Sequence, residues 1–341
     1  MRSDLPRLSG LRPIVGRIKD IPEDFCVDEV PSYLPSGNGT HLFVRIEKRG
    51  LTTQQAMRAL SEHTKCSTKA MGAAGQKDKV AVTTQWISLE GVQPETCASF
   101  AHDSLRILEC VPNETKLRTG HLRGNRFRVR VRGADADDVA QVLAKGMALD
   151  EGVPNYFGTQ RFGRDGDNAD RAKAWLVDGG RPPRDRFKRK LYVSSLQSAA
   201  FNEVLAQRVE SGHVHAALEG DVFQTQRRGI FSDPDAAANA ERMASWEISP
   251  TGPMFGGDMR WGSATCEEME RKVEAEYGFC DEVYARMGKL GRGTRRVLRI
   301  RPQELAFEAV EDGFWVTFEL PSGAYATVVL REILADAPSS K

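Results

Sequence analysis

The sequence predicts an α+β fold in which helices flank a largely antiparallel sheet. Apolar and polar residues alternate over 25–30 and 41–47, which is the pattern of half-buried strands. The segment 51–65 follows with apolar residues at helical spacing and begins with threonines that can cap a helix. The last forty residues, 302–341, return to strand patterning, so we expect them to complete the N-terminal sheet.

The clearest strand is "NRFRVRVRG", over residues 125–133. Three apolar side chains fall on one face and four arginines on the other: Phe127, Val129 and Val131 against Arg126, Arg128, Arg130 and Arg132. An apolar face on a core with an arginine row opposite is suited to carrying a polyanion. An open face covered by salt bridges is the alternative interpretation of the same pattern.

Later segments predict further elements and a domain boundary. A strand is expected over 80–89, and the tail segments "GFWVTFEL", "GAYATVVL" and "REILAD" predict two strands and a short helix. After Gly180 the segment "GGRPPRDRFKRK" is basic and interrupted by glycine and proline. We therefore predict one domain formed by 1–180 plus 305–341, with 181–304 inserted as a second, α/β domain.

The formal net charge of +1 gives no global indication of a nucleic-acid partner. Three segments nevertheless carry an excess of lysine and arginine: seven against one acid over 114–132, six against one over 181–190, and seven against none over 284–301. Such clusters in a neutral protein can form local phosphate-binding surfaces. A solvated charged surface is the alternative for each of them.

Composition favours a protein of a reducing compartment. Six cysteines are scattered without a CxxC pair, which suggests neither a disulfide scaffold nor a zinc site. His213 and His215 lack an acidic or cysteine partner at ligand spacing, so no metal is expected there. The N-terminal segment lacks a hydrophobic signal core, and no run approaches the roughly 18 apolar residues of a membrane helix. We expect a cytoplasmic protein without a membrane partner.

The loop "VPNYFGTQRFGRDGDN" alternates aromatic rings with amides and a guanidinium: Asn155, Tyr156, Phe157, Gln160, Arg161 and Phe162. Stacking surfaces beside hydrogen-bonding groups are what unpaired or flipped bases require. A buried turn anchored by its aromatic side chains is the alternative. A second loop, in "AAGQKDKVAVTTQWISL", places Asp78 between two lysines ahead of a predicted strand.

Three segments resemble, in order and spacing, the signatures of the TruD family of tRNA pseudouridine synthases: "GQKDKVAVTTQW", "NYFGTQRFG" and "LPSGAYATVVLRE". "PEDFCVDEVP" and "SPTGPMFGG" resemble further landmarks, and the likeness spans essentially the whole chain. The resemblance implies a pseudouridine-synthase-type mixed, largely antiparallel sheet with an inserted TRUD domain. It also implies that a uridine in tRNA, at position 13, becomes pseudouridine without metal or organic cofactor.

The family's catalytic aspartate falls on Asp78. The reaction breaks the bond between base nitrogen and ribose, turns the uracil and rejoins it through ring carbon five. A carboxylate can attack the ribose anomeric carbon or ring carbon six, or it can assist departure of the base, and the sequence leaves these paths open. Each needs an ionised aspartate. Lys77 and Lys79 would favour that charged form, or they point outward to phosphates.

The chemistry requires the target nucleotide to leave its stack, so the protein must hold an extruded base. By the resemblance, we expect Phe157 and Tyr325 to pack on uracil and Asn155 to orient Asp78 through a hydrogen bond. Lys19 matches a basic position ahead of "PEDF", where a phosphate contact is expected. The remaining predicted substrate contacts are Gln160, Arg161, Lys77, Arg126 and Arg128.

Two other functional classes are alternatives. An RNA-binding or RNA-folding protein without chemistry would be expected to lose Asp78 or the "NYFG" loop first, and both are present. A dehydrogenase is suggested only by glycines such as those of "GKLGRG", which lack the strand–turn–helix context of a nucleotide site. We therefore expect an isomerase that acts on tRNA as a monomer, without a small-molecule cofactor.

Overall fold

A computed structural model of the chain describes residues 4–8, 12–163 and 165–335. Their contacts define two compact units. The Asp78 unit comprises the described residues of 11–150, 302–326 and 333–341, and the Phe157 unit those of 1–10, 151–301 and 327–332. The domain boundaries predicted at 180/181 and 304/305 stay a prediction, because they were inferred from the composition of the sequence and not from contacts between residues.

The strands of the described residues are β1 (Phe25–Pro31), β2 (His41–Arg49), β3 (Gly72–Ala73), β4 (Val82–Glu90), β5 (Leu105–Asn113), β6 (Leu122–Arg132), β7 (Val153–Pro154), β8 (Val222–Thr225), β9 (Ile230–Ser232), β10 (Ile248–Met254), β11 (Thr294–Val297), β12 (Arg299–Ile300), β13 (Gln303–Val310) and β14 (Gly313–Pro321).

The α-helices are α1 (Thr53–Thr64), α2 (Ala136–Lys145), α3 (Asn168–Leu176), α4 (Arg186–Glu210), α5 (Ala236–Ala244), α6 (Ala264–Glu276), α7 (Asp281–Met287) and α8 (Ala326–Ile333). Short 3-10 turns occupy Pro22–Asp24, Pro94–Cys97, Gly146–Glu151, Thr159–Phe162 and Gly288–Leu290. Within the described part of the chain, none of these helices has the length and apolar character to cross a membrane.

The Asp78 unit is built on one eight-stranded sheet. Its strand order is β13-β14-β6-β1-β4-β2-β5, with β3 paired to β4. β1 and β4 are parallel, and the other pairs described for this sheet are antiparallel. The sheet is therefore mixed and largely antiparallel, which confirms the predicted fold class. β14 pairs with β6 along its whole length, so the tail completes the N-terminal sheet as expected.

β6 shows the predicted alternation. Phe127, Val129 and Val131 are buried in the core. On the opposite face Arg126 lies 2.7 Å from a carboxylate oxygen of Glu304, and Arg128 lies 3.7 Å from one of Glu308. Two arginines of the row thus form cross-strand ion pairs, as in the alternative that the sequence left open. The predicted RNA contacts of Arg126 and Arg128 stay a prediction.

The segment "GAYATVVL" does not form the predicted strand. Its second half belongs to α8, in which Ala326, Val329, Leu330 and Ile333 are all buried. These four positions have the i, i+3, i+4, i+7 spacing of a helix face. The adjacent valines suggested a strand, but helical periodicity and burial determine the structure here. The helix predicted for "REILAD" is the end of α8, and its Asp336 lies outside the described residues.

The Phe157 unit contains a four-stranded sheet of order β11-β10-β8-β9 and the separate pair β7–β12. The 25-residue α4 is its longest helix within the described residues, and Asp185 caps it by accepting a hydrogen bond from the Phe187 amide. The face of α4 that carries Val193, Leu196, Ala200 and Val204 belongs to the buried core. Packing of this face holds α4 in the core, because burial of apolar surface is the main contribution to the stability of such a helix.

A buried ion pair anchors α4 at its C-terminal end. Arg208 donates to both carboxylate oxygens of Asp221 at 2.6 and 2.8 Å, and both side chains are almost fully buried. Removing one member of such a pair leaves an uncompensated charge in the interior. Arg208 also donates to the carbonyl of His213 at 2.9 Å, which ties the end of the helix to the following turn.

We predict that Asp221→Asn lowers the free energy of unfolding by about 3–5 kcal/mol, because Arg208 keeps its charge without a counter-ion. Urea denaturation followed by circular dichroism measures the change. Glu267→Gln is the matched control, since Glu267 forms an exposed pair with Arg271 and its removal costs below about 1 kcal/mol. Equal effects of the two variants would contradict the assignment of Arg208–Asp221 as the anchor.

Candidate active site

Asp78 lies in the loop between β3 and β4, and its carboxylate contacts an ammonium group. Lys19 Nζ donates a hydrogen bond to Asp78 Oδ2 at 2.8 Å. Both side chains are partly exposed, 24% for Lys19 and 31% for Asp78. The pair is therefore at the protein surface yet shielded on one side, where a charge-assisted hydrogen bond keeps more of its strength than in open water.

Lys19 is positioned by its backbone and by an aromatic ring. Its φ of 63° places it in the left-handed region, which is uncommon for a residue other than glycine. Its ammonium lies 4.0 Å from the centroid of the buried Phe25 ring, within range of a cation–π interaction. The sequence predicted a phosphate contact for Lys19. The structure shows Lys19 as a direct partner of Asp78, a contact that sequence reasoning missed, and the phosphate contact stays a prediction.

A fully buried lysine supports the loop from beneath. Lys48, on β2, donates from Nζ to the backbone carbonyl of Asp78 at 2.7 Å and to that of Leu51 at 2.6 Å. Burial lowers the pKa of Lys48 to about 8, while the nearby Asp78 carboxylate opposes that shift. The energetic cost of burying this amine is thus offset in part by the same residue whose backbone it holds.

Lys77 points into the protein. Its Nζ donates to Glu29 Oε2 at 2.7 Å, and the two side chains are 4% and 1% exposed. The other oxygen of Glu29 accepts a hydrogen bond from the Trp86 amide at 3.2 Å. Neighbouring residues thus face opposite ways, with Lys77 inside and Asp78 at the surface. The predicted RNA contact of Lys77 stays a prediction, and its burial argues against it.

A chain of buried hydrogen bonds fixes the rest of the loop. The Lys77 amide donates to Thr53 Oγ1 at 2.9 Å, and that hydroxyl donates to Gln85 Oε1 at 2.9 Å. The Gln85 amide nitrogen donates in turn to the carbonyl of Gly75 at 3.4 Å. The loop is therefore tied to α1 and to β4 by groups that would be costly to leave unpaired.

The "NYFG" segment belongs to the Phe157 unit. There the side-chain nitrogen and the side-chain oxygen of Asn155 each form a hydrogen bond with a neighbouring group. Its side-chain amide donates to the carbonyl of Val297 at 2.9 Å, and its Oδ1 accepts from Arg296 at 2.6 Å. Asn155 is 2% exposed. Asn155 and Asp78 belong to different units, and the predicted hydrogen bond by which Asn155 orients Asp78 stays a prediction.

The ring of Phe157 is enclosed by cations and a second ring. The guanidinium carbon of Arg296 lies 4.1 Å from its centroid and that of Arg161 lies 5.2 Å away. Phe201 of α4 packs edge-on at 5.5 Å. Arg296 was not among the predicted site residues, although it lies within the basic run 284–301. That run was the only sequence signal for it, because its contact with Phe157 spans more than a hundred residues.

α4 holds the backbone of this loop in place. Asn202 accepts from the Phe157 amide at 2.8 Å and donates to the Phe157 carbonyl at 3.0 Å. Ser198 accepts from Arg161 Nε at 3.1 Å.

Gln160 is exposed, as a contact with a bound molecule would require. Tyr325 belongs to the Asp78 unit, where it is half-buried immediately before α8.

The sequence matches the family tRNA pseudouridine synthase D (TruD) over residues 7–179 and 185–333. It is 44% identical to the tRNA pseudouridine synthase D of Anaeromyxobacter dehalogenans strain 2CP-C, over 98% of each protein. It is 36% identical to a tRNA pseudouridine synthase D of Thermus thermophilus, over 98% of this chain and 91% of the relative.

The fold is also similar to a solved structure, a putative tRNA pseudouridine synthase D from Methanosarcina mazei. The TM-score is 0.73 over 95% of this chain and 94% of the other, at 22% sequence identity. At that identity the likeness concerns the fold, while the sequence matches concern the family. Together with the Lys19–Asp78 pair and the "NYFG" loop, these matches show that this chain belongs to the tRNA pseudouridine synthase D (TruD) family.

Proposed function

We propose that this protein converts a uridine of tRNA, at position 13, to pseudouridine, with Asp78 as its catalytic carboxylate and without a cofactor. The observation that carries the proposal is the Asp78 carboxylate, partly exposed and held 2.8 Å from the Lys19 ammonium in the loop that matches the family's "KD" motif. Relatives over nearly the full chain are named for this activity.

The electrostatics of the Asp78 loop suit a carboxylate that must stay ionised. Lys19 supplies an adjacent positive charge, and Lys48 holds the Asp78 carbonyl from the buried side. An ionised aspartate can attack the ribose anomeric carbon or ring carbon six, or stabilise charge as the base departs. In each case the base nitrogen–ribose bond breaks, the uracil turns, and ring carbon five forms the new bond.

The extruded uracil needs a surface to pack on. We assign this role to Phe157 and Tyr325, with Asn155 orienting the carboxylate. Arg296 already lies over the Phe157 ring at 4.1 Å, so a base can stack there only if the guanidinium shifts or the base meets the ring's edge. Exchange of an arginine for a base is feasible because both are planar groups that stack on aromatic rings.

The RNA backbone requires cations around the site. We assign phosphate or base contacts to Gln160, Arg161, Arg126 and Arg128, of which the last two must exchange exposed glutamate partners for phosphates. Such exposed pairs contribute little to stability, so exchanging them costs little. We further propose that the protein acts in the cytoplasm as a monomer, with tRNA as its partner.

We predict that Asp78→Asn abolishes pseudouridine formation in unmodified tRNA while leaving the Kd for tRNA within about threefold, because the amide keeps the shape but not the charge. Mass spectrometry of the digested tRNA measures the product. Asp103→Asn, at an exposed turn of the same unit, is the control and should remain fully active. Full turnover by Asp78→Asn would remove Asp78 from the mechanism.

We predict that the titration of Lys48 makes the free energy of unfolding depend on pH in the alkaline range. Its pKa is lowered in the folded state, so protonation disfavours folding, and stability rises as pH increases from about 8 toward the usual lysine value. Between pH 7.5 and 9.5 this contribution is about 1–2 kcal/mol. Comparison of the urea unfolding of the parent and of Lys48→Met isolates the contribution of Lys48, since the variant has no titratable amine at this position. The exposed Lys272→Met should behave as the parent, and an unchanged pH dependence in Lys48→Met would contradict the buried amine.

We predict that the double charge reversal Arg126→Glu with Arg128→Glu weakens tRNA binding at least tenfold. The slope of log Kd against log salt should fall by about 0.7–0.9 for each phosphate that the protein no longer binds. Filter binding at several salt concentrations measures both quantities. Arg106→Glu, an exposed arginine on β5, is the matched control. A salt slope equal to that of the parent would exclude the arginine row of β6 from the RNA-binding surface.

A further inference from the structure

The segment 181–190 forms an exposed basic surface that the proposed mechanism does not use. We call it the basic tip. Its exposed cations are Arg181, Arg184, Arg186, Lys188 and Lys190. Among the described residues, no carboxylate lies within 4.0 Å of these five cations. The acid within the segment, Asp185, is engaged as the cap of α4, where it accepts from the Phe187 amide.

This arrangement differs from the other basic surface of the protein. Arg126 and Arg128 on β6 each have a glutamate partner, so their charge is largely neutralised. The cations of the basic tip keep their full charge. Repulsion between them is tolerated only because water and salt screen it, and a polyanion would relieve it. The basic tip therefore has the stronger charge complementarity to a phosphate backbone.

The same segment carries an exposed aromatic ring, with basic residues before and after it in the sequence. Phe187, in the first turn of α4, is 71% exposed, although phenylalanine is a residue type that is normally buried. Exposed aromatic rings and cations on one surface are the combination with which proteins bind unpaired nucleotides, since a ring stacks on a base while cations contact the flanking phosphates. An acidic protein partner would use the cations but not the open face of the ring.

α4 connects the basic tip to the loop assigned to the target base. Phe187 precedes Ser198 by 11 residues and Asn202 by 15 residues, and these two residues hold Arg161 and Phe157. At 1.5 Å per residue the separation along the helix is about 16–22 Å. A stacked strand advances about 3.4 Å per nucleotide, so this distance corresponds to roughly five to seven nucleotides. One folded RNA can therefore reach both points.

We propose that the basic tip is a second RNA-contact surface, on which Phe187 stacks with an unpaired base of the same tRNA while the cations of the basic tip bind its phosphates. This inference rests on the proposed function, because it takes the Phe157 loop as the place of the target base. The surface sets affinity and register; it takes no part in breaking or forming bonds.

Three substitutions of Phe187 test the stacking. Phe187→Ala should raise the Kd for unmodified tRNA roughly 5- to 150-fold, which is the range for removal of one base–aromatic stack. Phe187→Tyr should bind as the parent does, because it keeps the ring, and Phe187→Leu should behave as the alanine variant. The single-turnover rate at saturating tRNA should stay unchanged in all three. Since the side chain is exposed, the fold is unaffected, and thermal unfolding checks this.

The cations are tested through salt dependence. Lys188→Gln with Lys190→Gln should reduce the slope of log Kd against log salt by about 1.4–1.8. Lys272→Gln, an exposed lysine on α6 of the same unit, and Leu34→Ala, an exposed apolar residue of the other unit, are the controls and should change neither Kd nor slope.

Parent-like binding by Phe187→Leu, or an unchanged salt slope in the lysine variant, would overturn this inference while leaving the proposed function intact if the parent forms pseudouridine. A parent that binds tRNA through Phe187 but forms no pseudouridine would support the surface and reject the proposed function. A parent that does not bind tRNA would reject both.

Discussion

The proposed catalysis depends on one carboxylate, that of Asp78, which is ion-paired and partly exposed. Two lysines contact different atoms of Asp78: Lys19 contacts the carboxylate, and Lys48 contacts the backbone carbonyl of the same residue. A positive charge thus lies beside the carboxylate that we propose reacts, and the loop is held from the buried side. Because Lys77 is neutralised by Glu29, it adds support to the loop without competing for the Asp78 carboxylate.

The arginines of the two units have different kinds of partner. In the Asp78 unit Arg126 and Arg128 of β6 form cross-strand pairs with glutamates of β13, at the surface of the sheet. In the Phe157 unit Arg296 is committed to an aromatic ring and an amide. The cations of the basic tip have neither kind of partner among the described residues. Counting charges along the sequence did not distinguish these three situations, because partner choice depends on the fold.

The sequence predicted what local periodicity controls. Alternation in β6 and the return of the tail to the sheet both follow from side-chain burial with a period of two. The same rule failed at α8, where adjacent valines suggested a strand although the buried residues have helical spacing. The Lys19–Asp78 pair, the Lys48 anchor and the stacking of Arg296 on Phe157 join residues far apart in the chain. No spacing rule connects such residues, so the motifs indicate a candidate site but do not predict the contacts within it.

The pH dependence of single-turnover pseudouridine formation by Lys19→Met and Lys19→Arg tests the central claim most directly. If Lys19 keeps the Asp78 carboxylate ionised, Lys19→Met moves the acid limb of the rate profile to higher pH and lowers the plateau rate, while Lys19→Arg restores both. If Lys19→Met only raises the Kd for tRNA and leaves the profile in place, Lys19 contacts phosphate, and the claim that Lys19 holds Asp78 ready for reaction is contradicted.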